Sequence, residues 1–384
     1  MSYLVYLNHY NIRQCRAQYL SVLYEVLGKG LDAHFILSNE YLDSYPNRWE
    51  TRWAKEQWGS IEVLRSKLTS ENCTRMRKPE DILANTSIVP SEILRLVVEE
   101  NIPTQIDTIM EVLEKKEIKA GITWVNNNCF KRTLWNTYQI PTIHHELGPF
   151  RPSTYIPTAY LDFSGVNGNT EFEKRFKEFL KVSDNVPILT RKELIRVLSQ
   201  NCYKELWKVL ENKEFEYEAG VGLQVEVDTN LLLFNKGRHW VDPILEAESK
   251  ASGKVLVRPH PNAGYKLSPI DGRIVVDDLK EPAYSFINKC KKIYCLNSSI
   301  GVEAFLLGRE AEILGDSPFN SLCEMNEETL LKALNFIVFG YLIHRELLFN
   351  EDYYEFRLKE RDNEELIYKD NVKRLIKKGL KTCS

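Results

Sequence analysis

Apolar residues alternate over positions 3–7, a polar loop follows at 8–11, and a helical pattern runs from about Arg13 to Leu27 before Gly28-Lys29-Gly30 stops it. A second short strand pattern, residues 33–37, comes after a tight connection. This β-loop-α-β opening points to parallel pairing, and a parallel sheet needs helices on its faces, so the chain is expected to be α/β. The pattern returns at 118–125, a buried strand ending in Asn126, Asn127 and Asn128, and at 140–144. Polar residues at the C-terminal ends of parallel strands line the ligand cleft in such folds. The first loop holds no GxGxxG, so a nicotinamide or flavin dinucleotide site is unsupported.

A charged helical stretch over 171–210 precedes a second α/β series, with strands expected near 222–227, 254–257, 274–276 and 292–296. With 384 residues the chain has room for two such domains. We expect two Rossmann-like domains facing a cleft, 1–200 and 201–340, and a helical tail over 341–384.

Composition narrows the function class. Fifty-one Lys and Arg against 54 Asp and Glu leave a net charge of −3, which is no field for drawing the chain onto nucleic acid. The longest apolar run, 336–343, is about half the ~20 residues a spanning helix needs. Eight cysteines form no CxxC pair, and buried thiols in a reducing cytoplasm explain them better than zinc or disulfides. Trp49, Trp53 and Trp58 fall near one helix face; a core stripe is the expectation, a sugar-stacking platform the alternative. Lys373, Arg374, Lys377, Lys378 and Lys381 make the C-terminus basic, either as a solvated helix, as an attachment to an anionic inner-membrane surface, or as a linker to a further domain.

Four stretches carry residues suited to chemistry. In Arg258-Pro259-His260-Pro261, two prolines stiffen the chain as it leaves a strand, and the imidazole can protonate a departing phosphate. Asn297-Ser298-Ser299-Ile300-Gly301-Val302-Glu303 opens a helix, where backbone N–H groups and two hydroxyls can hold one phosphate; Gly301 is expected to admit the ligand, and Glu303 to accept from ribose hydroxyls. A Walker lysine is missing there, so ATP hydrolysis is not indicated. His144-His145-Glu146 ends a strand before Gly148-Pro149, placing Glu146 as a base and Arg151 as an anion clamp. Neighbouring strand residues point to opposite faces, so at most one of His144 and His145 is expected in the site, and the spacing is not that of a metal-binding HExxH. Finally, the alternating run from Leu223 through Gln224 to Val227 is expected to deliver Asp228 at a strand end.

Taken in this order, the motifs at Glu146 to Pro152, Gly165-Val166-Asn167, Gln224 to Asp228, Arg258 to Pro261 and Asn297 to Ala304 resemble those of the retaining β-Kdo transferases of capsule and O-antigen synthesis (KpsC/KpsS-like and WbbB-like enzymes). The resemblance covers roughly residues 140–320. It implies a glycosyltransferase B-type fold, an acceptor-side N-terminal domain, and a C-terminal domain that binds the donor CMP-Kdo through His260 and the Ser298-Ser299 pair. It further implies Asp228 as a nucleophile, retention by two inversions, and Glu146 as the residue assisting the acceptor hydroxyl. CMP-Kdo carries one phosphate, so Arg258, His260 and the helix start can balance its charge without a metal ion, and no cofactor is expected. Kdo's own carboxylate calls for Arg151 or Arg258. Asn297, Gly301, Glu303 and Gln224 complete the expected donor set. The acceptor would be a surface glycan or glycolipid, the enzyme cytoplasmic and at most peripheral on the inner membrane. Each motif occurs once, so one linkage type is implied.

Three other readings stand beside this one: an inverting CMP-sugar (sialyl-type) transferase, a nucleotide-sugar epimerase, and a non-catalytic polysaccharide-binding or assembly subunit.

Overall fold

The structure, a computed structural model, describes residues 1–7, 20–43, 48–76, 102–226, 228–263, 265, 267–268 and 272–382, with side chains throughout except at 40, 48–51, 53 and 376–382. The chain divides into two α/β units. The first comprises Met1–Glu146, Leu161–Val166 and Glu346–Lys359, the second Leu147–Tyr160, Asn167–Arg345 and Glu360–Ser384.

In the first unit, β1 (Ser2–Leu7), β2 (Ala33–Leu37), β3 (Cys73–Arg75), β4 (Ile118–Trp124) and β5 (Thr142–Leu147) pair in parallel in the order β5-β4-β1-β2-β3. The central strand β1 buries Tyr3 through Leu7 on both faces, as a parallel sheet covered by helices requires. Its Tyr6 ring stacks on Phe130, and the Tyr6 hydroxyl donates to Gln105 Oε1 at 2.9 Å, so that buried polar atom is satisfied. The helix Pro103–Leu113 begins on proline, whose missing N–H costs nothing in a first turn. Ile109, Val112 and Leu113 then pack on the sheet.

Residues 158–160 of β6 (Thr158–Asp162) pair antiparallel with β12 (Leu342–His344). In the second unit, β7 (Tyr217–Gly222), β8 (Val255–Arg258), β9 (Ile274–Val276), β10 (Cys290–Cys295) and β11 (Glu310–Ile313) pair in parallel in the order β11-β10-β7-β8-β9. Both units therefore repeat one doubly wound order, in which the first strand lies between the second and the fourth. The chain reverses its winding there, and the crevice beyond those strand ends is where such folds bind ligands. Helices Phe172–Val182, Glu327–Phe336 and Glu364–Thr382 add a layer in which Phe176, Phe179, Phe336 and Tyr368 interlock. Across it Arg175 meets Glu364 through two hydrogen bonds of 2.6 and 2.8 Å, a buried pair with both partners at most 5% exposed.

Several expectations shift. The division of the chain falls near residue 146, with two later returns, rather than at residue 200, because the segment from 167 onward packs in the second unit. The tail expected over 341–384 is instead shared: β12 joins β6, and in the last helix Ile367, Tyr368, Val372 and Leu375 are buried. Lys373 is exposed and Arg374 pairs with Asp370 at 2.6 Å, whereas the side chains of Lys377, Lys378 and Lys381 lie outside the described residues. Asn126 and Asn127 are instead buried in structural roles. Asn126 clamps both backbone groups of Val166, and Asn127 caps the helix Asn128–Tyr138. Trp58 covers Gly28, where any Cβ would stand 2.3 Å from the indole, and the side chains of Trp49 and Trp53 lie outside the described residues. Residues 13–19 of the first expected helix do too; the described part is Leu20–Lys29. Among the described residues, no helix is long and apolar enough to cross a membrane.

Candidate functional site

A pocket of about 330 Å³ opens at the C-terminal ends of β7, β8 and β10, at the point where the second unit's winding reverses. Gly222 and Leu223 contribute from β7, Arg258 to Pro261 from β8, and Ser298, Ser299, Ile300 and Glu303 from the segment after β10. Pro149, Arg151, Pro152, Thr154 and Tyr155 close another side. Two of the stretches singled out by sequence thus meet here, and Arg151 joins them from a third. Every lining residue belongs to the second unit.

The helix Ile300–Leu306 starts at the pocket wall. Ser298 Oγ accepts from the Ile300 N–H at 3.4 Å, while the Ser299 hydroxyl makes no capping bond and lines the pocket. Gly222 lets this helix start so close to β7, because a Cβ there would stand 2.7 Å from Ile300 Cγ2. Gly301 has a different task from the one expected. It is buried, and its Cβ would meet Ile313 at 3.0 Å and Cys295 Sγ at 3.2 Å, so its bareness serves helix-on-sheet packing and not ligand approach. Asn297 and Gln224 are likewise structural. Asn297 is 7% exposed, donates to the carbonyls of Asn230 and Phe234, and its backbone N–H donates to Gln224 Oε1 at 3.3 Å. Neither lines the pocket; Asn297 lies instead on a hollow of about 20 Å³, room for about one water, with Asn167, Asn230 and Asp316.

Arg258 lies in the pocket wall but is already engaged, paired with Asp277 and donating to the Glu281 carbonyl at 2.8 Å. Arg151 is exposed and, among the described residues, makes only a 3.4 Å bond to the Leu147 carbonyl, which leaves most of its guanidinium donors unused there. His260 Nδ1 accepts from the Asn262 N–H at 3.1 Å, which in a neutral ring leaves the proton on Nε2.

Glu303, 8% exposed, accepts on Oε1 from the Tyr155 hydroxyl at 2.9 Å. Burial pushes its carboxyl up to about 7, against the lowering pull of the Tyr155 hydrogen bond and of the Arg258 charge. Sequence reasoning missed Tyr155. Its only signal was its position within the loop that Gly148-Pro149 opens, since the contact with Glu303 spans 148 residues.

Asp228 and Glu146 do not line the pocket. β7 ends at Gly222, so Asp228 lies beyond the strand and caps the helix Thr229–Phe234 by accepting from the Asn230 N–H. Glu146 is half-buried near the end of β5, in the first unit. His144 and His145 are both fully buried, so neither joins the site. His144 Nδ1 donates to the Asp162 carbonyl at 3.3 Å, and His145 Nε2 meets the Tyr354 hydroxyl at 2.7 Å under a stacked ring. Among the described residues, no three His, Cys, Asp or Glu side chains group as metal ligands.

Residues 5–171 match the Glycosyltransferase 99 family N-terminal domain. No curated protein matches. Among solved structures, the β-Kdo 2,7 transferase of Thermosulfurimonas dismutans KpsC aligns at 12% identity over 81% of this chain and 92% of its own, with a TM-score of 0.42. The β-Kdo 2,4 transferase of the same KpsC aligns at 16% identity over 69% and 90%, also at 0.42. The UDP-GlcNAc 2-epimerase of Methanocaldococcus jannaschii aligns at 13% identity over 88% and 92%, at 0.29.

Proposed function

We propose that this chain, whose residues 5–171 match the Glycosyltransferase 99 family N-terminal domain, moves Kdo from CMP-β-Kdo to a glycan or glycolipid acceptor with retention of configuration. The observation that supports this most is the pocket at the winding reversal of the second unit. It is large enough for a nucleoside monophosphate, and it gathers one imidazole, two arginines, two serines and a buried carboxylate. Such a set suits one phosphate flanked by a ribose and an acidic sugar. His260 Nε2 donates to the phosphate, the Ser299 hydroxyl and the start of the helix Ile300–Leu306 bind it, and Glu303 takes the ribose hydroxyls.

In the first step a carboxylate oxygen of Asp228 bonds to the anomeric carbon of Kdo as the bond to the CMP phosphate breaks, and CMP leaves with the electron pair. In the second the acceptor oxygen displaces Asp228 from that carbon while Glu146 takes the hydroxyl proton. Two inversions give retention. No metal is needed for a single-phosphate leaving group in this reading, since protein groups balance its charge.

Intact-protein mass spectrometry after incubation with freshly made CMP-Kdo and no acceptor tests this. The expected result is a mass gain of one Kdo on the wild type, mapped to Asp228 and missing from Asp228→Asn. CMP release with no adduct, even after rapid quenching, would favour an inverting CMP-sugar transferase; neither release nor adduct would overturn the donor assignment.

A further inference from the structure

Tyr155 lies in a tightly held loop. Its N–H donates to the Arg151 carbonyl at 2.8 Å, the next N–H reaches the Leu198 carbonyl at 2.6 Å, and its ring meets Phe150 edge-on at 5.3 Å. Only 2% of the residue is exposed, so the hydroxyl has one fixed direction, toward Glu303 Oε1. A tyrosine hydroxyl has one proton to give, and here it goes to one of the two carboxylate oxygens. Glu303 Oε2 is thereby left for the pocket that Glu303 lines.

Resting on the CMP-donor reading above, we infer that Tyr155 is a positioning residue for the donor nucleoside: by holding Glu303 through Oε1 in its ionised form, it presents Oε2 as an acceptor for the ribose hydroxyls. The mechanism above gives Tyr155 no task, and its burial deep in the wall keeps it from the reacting atoms. Burial alone drives the Glu303 carboxyl toward neutrality, and a hydrogen bond to its charged form opposes this. Other titratable groups face the pair. Arg258, His260 and Arg151 share the pocket, and Cys202 and Tyr284 act electrostatically on Tyr155. A readout that responds to the ribose alone is therefore required.

The affinity ratio between CMP and 2′-deoxy-CMP supplies it, because titration of the phosphate, of His260 and of the arginines cancels between the two ligands. Calorimetry from pH 6 to pH 9 on the full chain should show wild type preferring CMP about tenfold at high pH, with the preference falling as pH drops through about 7. In Tyr155→Phe this fall should move upward by about one pH unit, since the carboxylate has lost a donor. In Glu303→Gln the ratio should be flat across the range. A Tyr155→Phe curve that superimposes on wild type overturns the role of Tyr155, even where its absolute affinity is lower through loosened packing. A flat wild-type ratio with CMP still bound overturns the ribose contact of Glu303 and leaves the donor reading standing. Failure of wild type to bind CMP overturns the donor reading itself.

Discussion

Asp228 accepts a hydrogen bond from the backbone N–H of Asn230 at 2.9 Å, which makes it the N-cap of the helix Thr229–Phe234. One carboxylate oxygen thus has a structural duty, and a variant that removes the side chain mixes two losses. Asn caps a helix as well as Asp, whereas Ala does not, at a cost of about 1 kcal/mol. Asp228→Ala is therefore expected to melt a few degrees below wild type and Asp228→Asn to melt with it. If Asp228 is the nucleophile, transfer is lost in both. Thermal unfolding and a transfer assay on the two variants separate these effects, and full transfer by Asp228→Asn would remove the residue from the chemistry.

Gly301 has no room for a methyl group between the helix Ile300–Leu306 and β11. A Cβ at 3.0 Å from Ile313 and 3.2 Å from Cys295 is an overpacked contact, of a kind that costs about 1–3 kcal/mol. Gly301→Ala is expected to lower the denaturation midpoint by that amount while CMP affinity of the folded fraction stays within about twofold. A selective loss of CMP affinity at unchanged stability would return Gly301 to the ligand.

In the proposed reaction Arg151 and Arg258 are the two candidates for the carboxylate of the donor sugar, and their surroundings favour Arg151. Arg258 is bound to Asp277 and to the Glu281 carbonyl, whereas among the described residues Arg151 holds only one long bond to a carbonyl. Arg151→Ala is expected to weaken CMP-Kdo about tenfold or more and CMP hardly at all, since CMP lacks the sugar carboxylate. Arg258→Ala is expected to weaken both ligands alike. Competition binding with the two ligands measures each ratio, and the reverse pattern would assign the carboxylate to Arg258.

These contrasts show which features were legible in the sequence. Alternation at residues 3–7 and 33–37 and the apolar run at 118–125 correspond to β1, β2 and β4, because strand periodicity is local. The stretches after β8 and β10 were legible for the same reason, as strand ends followed by turn and cap residues. Residues 223–227 also alternate, yet β7 runs over Tyr217–Gly222, where Gly220 and Gly222 hide a strand behind residues that rarely favour one. Those glycines are needed because Cys290, Ile293 and Ile300 pack where their side chains would be. Tyr155 joined the site through a tertiary contact with no local signature, whereas Arg151 was legible in the turn that Gly148-Pro149 opens. His144 and His145 looked like chemistry and are core, since burial on both faces of β5 is a property of the whole sheet.

His144 carries the last expectation. With no exposed surface, its Nδ1–H given to the Asp162 carbonyl and Nε2 unpartnered among the described residues, the ring is held neutral: burial first, then the nearby Lys131 charge, lowers it to about 3. The unfolded chain titrates its histidines near 6.5. Between about pH 6.5 and 3 the unfolded state therefore binds a proton that the folded state refuses, and stability falls as pH falls across that window. Above pH 6.5 the contribution is complete. In His144→Leu this source of acid sensitivity is gone, so the melting temperature should drop less steeply between pH 6.5 and 4 than in wild type, whatever the offset between the two proteins at pH 8. Differential scanning calorimetry across that range gives the slopes, and parallel curves would show that His144 is not a source of the acid lability.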